Sequence, residues 1–62
     1  MSMNKYYREA RNKAIVSAEK FKALALRAKR SGNLSVAIIA ARQYRSRLRD
    51  VARYEKEISS GR

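Results

Sequence analysis

Five cations recur along one stretch of the chain: Arg42, Arg45, Arg49, Arg53 and Lys56, at steps of 3, 4, 4 and 3. On an α-helix that spacing makes one continuous stripe. Arg offers phosphate a planar, bidentate donor fork and stacks on planar groups, which Lys does not. A stripe of this kind suits a phosphate backbone, and these five residues are the candidate nucleic-acid contacts. Gln43, Tyr44 and Tyr54 lie beside it. The preceding segment adds Lys13, Lys20 and Arg27 at steps of 7, with Lys5, Arg8, Lys22 and Lys29 nearby.

The acids are few and badly placed for chemistry. They are Glu9, Glu19, Asp50, Glu55 and Glu57. Glu55 and Glu57 diverge by about 200° on a helix, so they are no acid–base pair. His and Cys are absent. The commonest general base and the thiol nucleophile are therefore missing, along with thiolate and imidazole metal sites and any disulfide. No Gly-rich phosphate loop, zinc spacing or RNA-binding motif is present. The sequence reads as non-catalytic, with no cofactor, metal or small-molecule substrate implied.

The whole chain has 62 residues, with Lys and Arg numbering 16 against 5 acids, a formal charge of +11. Such a field attracts nucleic acid, an acidic protein or an anionic membrane, in that order of preference here. Charged helix faces are often only solvated, but a soluble bundle ordinarily mixes signs. Between Lys20 and Arg49 this one has no acid at all. The start, Met1 to Asn12, is polar and lacks the apolar core of a signal peptide. The longest apolar run, Val36 to Ala41, is too short to cross a bilayer. These features point to a cytoplasmic protein, and the lack of Cys fits a reducing compartment.

The elements that carry the stripe follow from the breakers. Pro is absent, and Gly occurs only at positions 32 and 61. The fold class expected is all-α: helix 1 over about 4–30, a turn at 31–33 and helix 2 over about 34–58, in one antiparallel hairpin domain. Gly32 suits the left-handed residue that ends a helix. Asn33 or Ser35 is placed to cap the next one. Arg27, Lys29 and Arg30 complement the dipole of the ending helix. The ends, Met1 to Met3 and Ser59 to Arg62, are expected to fray.

Both segments carry a coiled-coil seam. Helix 1 has Tyr7, Ala10, Ala14, Ser17, Phe21, Leu24 and Ala28 at alternating steps of 3 and 4. Helix 2 has Leu34, Ala37, Ala41, Tyr44, Leu48, Val51, Glu55 and Ile58 in the same rhythm. Folded at the turn, the seams pair residues whose numbers add to 65, including Tyr7 with Ile58, Phe21 with Tyr44 and Leu24 with Ala41. Ala10 then faces Glu55, which would reach outward toward Arg11. In this register Tyr7 and Tyr44 are core residues, while Tyr6 and Tyr54 are exposed.

Apolar residues remain unused. Val36, Ile39 and Ala40 fall off the helix 2 seam, and Ala23 and Leu26 off the helix 1 seam; Ile15 and Val16 extend the surface. Two helices rarely supply enough core alone. Self-association is expected through the turn-proximal half, with Leu26, Val36 and Ile39 as contacts, giving a homo-oligomer such as a four-helix bundle.

The segment from Ala28 through Gly32-Asn33 to Ala37-Ile38 resembles the turn of tetratricopeptide-type and MIT-type helical hairpins, without the aromatic signature of those repeats. As a whole, in size, basic helical composition and lack of Cys and His, the chain resembles small basic accessory proteins of temperate bacteriophages. That resemblance implies a cytoplasmic modulator that binds nucleic acid or, alternatively, an acidic or helical protein.

Overall fold

The computed structural model describes residues 2–61. The chain is all-helical: α1 spans Ser2–Arg30 and α2 spans Leu34–Gly61. They pack antiparallel as a helical hairpin. The inner helix ends fall at Arg30 and Leu34, where the sequence places them. The outer ends continue through Ser2 and Gly61 instead of stopping at residues 4 and 58, while Met1 and Arg62 lie outside the described residues. Among the described residues no helix is long and apolar enough to cross a membrane.

The turn is held by its own backbone. Gly32 has φ +81°, a left-handed conformation that side-chain-bearing residues disfavour. That geometry lets Asn33 N–H donate to Ala28 C=O at 2.8 Å and Gly32 N–H donate to Lys29 C=O at 3.1 Å, the paired bonds of a Schellman motif. The Ser31 hydroxyl donates to Ala28 C=O at 3.1 Å. Asn33 then opens α2: its Oδ1 accepts from Val36 N–H at 3.3 Å, and its C=O accepts from Ala37 N–H at 3.1 Å. Asn33, not Ser35, is the cap.

The core between the helices is made of small residues. Ala14, Ala18, Ala28 and Ala40 are buried, Ala40 to 1% exposure. Phe21, Tyr7, Tyr44, Val51 and Ile58 are half-buried around them. Among the described residues no large side chain is fully buried. Alanine lets two backbones approach closely but removes little apolar area from water, at about 25 cal/mol per Å².

The seam on α2 differs from the expected one. Ala37, Tyr44, Val51 and Ile58 do face α1. Between them, however, the inward row is Ala40, Arg47 and Tyr54, all buried or half-buried, and not Leu34, Leu48 and Glu55, which are exposed. The helix is thus turned about its axis by about 50°, half of one residue's rotation. Leu24, assigned to the α1 seam, is exposed as well, and Ala18 and Ala25 occupy that side of α1.

The register differs too. The Tyr7 and Tyr54 rings meet with centroids 6.2 Å apart. Their numbers add to 61, as do those of Ala28 and Asn33, which are hydrogen-bonded across the turn. The shift from 65 is about one helical turn. It sets Phe21 at the level of Ala40 instead of Tyr44. Tyr54 is consequently a seam residue, while Tyr6 is exposed as expected and stacks edge-on against Tyr7 at 5.3 Å. Glu55 is exposed, and no ion pair joins it to Arg11 among the described residues. Arg11 is half-buried; its NH2 donates to Asn12 Oδ1 at 3.4 Å, while its Nε has no partner.

Candidate nucleic-acid interface

Arg42, Arg45, Arg49, Arg53 and Lys56 are all exposed. The inward row of α2 is Ala37, Ala40, Tyr44, Arg47, Val51, Tyr54 and Ile58. Taken at 100° per residue, the five cations lie on the opposite side of the helix from that row. The stripe therefore runs along the outer surface of the hairpin, directed away from α1. The rotated seam makes this separation cleaner, because α2 turns its remaining arginine, Arg47, inward.

The five are not equivalent. Arg53 NH2 lies 3.6 Å from Asp50 Oδ1, and its guanidinium sits 5.3 Å from the centre of the Tyr54 ring. Its side chain is still 66% exposed. Asp50 is shared with Arg47, whose NH1 donates to Asp50 Oδ2 at 3.0 Å and whose NH2 donates to Gln43 Oε1 at 3.4 Å. Arg42, Arg45, Arg49 and Lys56 make no ion pair among the described residues. A phosphate approaching Arg53 competes with a carboxylate; one approaching Arg45 or Arg49 does not.

Folding at Gly32 also arranges the charge in space. The acid-free stretch Lys20 to Arg49 doubles back on itself at the turn; along α2 it runs from Leu34 to Arg49, while on α1 Glu19 stands at the level of Arg42. Arg42, Arg45 and Arg49 precede Asp50, the first acid of α2, and Arg53 and Lys56 follow it. Arg27 and Arg30, with Ala23, Leu26 and Ser31, line a shallow depression of about 510 Å³ on α1 near the turn.

The three candidate self-association residues do not form one patch. Leu26 and Ile39 are exposed but lie on opposite flanks of the hairpin. Val36 is half-buried at the edge of the seam. Sequence patterning missed the seam role of Arg47 because a search for apolar steps passes over an arginine. The available signal was Asp50 three residues on and Gln43 four back, which hold an inward guanidinium in place. No protein-family model matches this sequence, and neither a curated protein nor a solved structure is similar to it.

Proposed function

We propose that this chain is a non-catalytic accessory protein that binds a polyanion, nucleic acid above all, along the outer face of α2. The observation that carries the reading is the acid-free stretch of α2 from Leu34 to Arg49, with Arg42, Arg45 and Arg49 exposed on it and unpaired. Contacts to phosphate displace condensed counterions, so binding of this kind is salt-dependent and tolerant of sequence. Arg45 and Arg49 are the principal contacts. Arg53 contributes less because Asp50 already neutralises part of its charge.

The test is titration of duplex and single-stranded DNA and RNA at several salt concentrations. Log affinity should fall with log salt by roughly 0.7–0.9 per phosphate contacted. Arg45→Gln with Arg49→Gln should flatten the slope by about two contacts, with helicity unchanged. No binding at about 50 mM salt overturns the reading. The second reading, an acidic or helical protein partner, would then lead. It is favoured by the exposed large apolar residues near the turn, among them Leu24, Leu26, Leu34, Ile38 and Ile39.

A further inference from the structure

The surface left bare by the seam on α2 is ordered. Leu34, Ala41 and Leu48 recur at seven-residue steps along one flank. Leu34 is 64% and Leu48 43% exposed, and Ala41 between them is half-buried. Taken at 100° per residue, this row stands roughly a quarter-turn from both the α1-facing row and the arginine stripe. Ile38 borders it on α2. On the same flank, Ile15 of α1 borders it at the level of Leu48; both are exposed. Arg45 stands between Ala41 and Leu48 at the outer edge of the row, about 40° from its centre, and its long stem reaches past the row to solvent.

The molecule as a whole has more surface than its size calls for. Its accessible area is 5002 Å² for 7.2 kDa. A compact monomer of that mass exposes about 4,100 Å². The excess is of the order of the area that one partner contributes to a standard interface, about 800 Å². The radius of gyration, 14.2 Å, likewise exceeds the roughly 10.6 Å of a compact chain this long. An alanine core with an apolar heptad row beside it is half of a larger core.

We infer that a second copy of this chain covers the Leu34–Ala41–Leu48 row, α2 against α2 and antiparallel, with the twofold axis at Ala41. Each Leu34 then falls opposite Leu48 of the partner subunit, and the two Ala41 residues meet where the helices cross. Alanine at the crossing permits close approach, and leucine fills the gap where the axes diverge. Charge selects the antiparallel arrangement. A parallel pair sets the acid-free Leu34–Arg49 stretch of one copy beside that of the other. An antiparallel pair sets the open end of each α2, with Glu55, beside the turn of its neighbour, with Lys29 and Arg30. Arg42, Arg49 and Arg53 stay on the outside and Arg45 borders the contact; the inference itself does not rest on nucleic-acid binding.

The experiment is run without nucleic acid in about 0.5 M salt, where repulsion between the copies is screened. Sedimentation of the native chain should give twice the 7.2 kDa monomer mass. Because the sequence has no Cys, single cysteines report geometry directly under mild oxidation. Ala41→Cys should cross-link to itself, and Leu34→Cys mixed with Leu48→Cys should give the mixed species in preference to either self-linked one. Asn12→Cys, on the exposed face of α1, should remain monomeric. Leu34→Lys with Leu48→Lys should halve the mass; Leu34→Ser serves if the double variant loses helicity. A native monomer, preferential Leu34→Cys self-linking, or cross-linking at position 12 equal to that at 41 would overturn the proposal.

Discussion

Ala40 and Ala41 are adjacent and chemically identical, yet they belong to different surfaces. Ala40 is 1% exposed against α1, and with Arg47 and Tyr54 it forms the inward row. Ala41, half-buried, stands in line with the exposed Leu34 and Leu48 on the flank. The paradox is that the row with more apolar bulk is the one left in water. The inward row has an arginine at its centre. What separates them is steric: Ala40 lies at the level of Phe21, and a small residue there makes room for the ring. The helices choose the face that lets them approach, and the leucines are left for another surface.

The largest effect that would break this comparison is a bulky residue in the seam. Ala40→Leu should destabilise the hairpin by roughly 3 kcal/mol through overpacking. Ala41→Leu, read at protein concentrations low enough to isolate the hairpin, should stay within about 0.5 kcal/mol of native. Urea unfolding followed by circular dichroism checks both, and equal costs would mean that α2 faces α1 symmetrically between the two rows. Next, Phe21→Ala should cost roughly 2 kcal/mol, below the 3–5 of a fully packed ring because Phe21 is only half-buried. The smallest loss above the Ala41→Leu control is Gly32→Ala. A Cβ there meets nothing within 4 Å, so its cost is backbone strain alone, roughly 1 kcal/mol. It sharpens the comparison because the Schellman turn sets the rotation at which α2 leaves the turn, and so which row faces inward. Thermal unfolding should show a fall of about 4–8 °C per kcal/mol.

Much of this architecture was legible in the residues. Gly32-Asn33 placed the break, cap and inner helix ends, since a lone glycine and a side-chain acceptor act locally. The steps of Arg42, Arg45, Arg49, Arg53 and Lys56 placed them on one exposed stripe, because helical periodicity alone decides that. The seam was less legible. A heptad reads almost equally well with its second position at three or four residues from the first. Ala41 and Leu48 look better than Ala40 and Arg47 if apolarity is the only criterion. The choice depends on how Phe21 and the alanines of α1 fit, which is a matter of shape. The register moved by about a turn for the same reason, since helices that nearly repeat can slide by a turn and still interdigitate. Arg53's tie to Asp50 lies three residues away on one helix face and could have been read from spacing; it lowers that residue's standing among the candidate contacts.

The single turn has a kinetic consequence as well. Every pairing between the helices is strung outward from Gly32, starting at Ala28 with Asn33 and ending at Tyr7 with Tyr54. The loop to be closed lengthens steadily along that series, and its entropic cost grows only as the logarithm of length. Once the turn has formed, each further layer closes beside one already in place. The hairpin is therefore built like a zipper with one fastened end. It opens from the tyrosine pair inward, and a pull applied between its two ends separates the layers one after another instead of shearing them together.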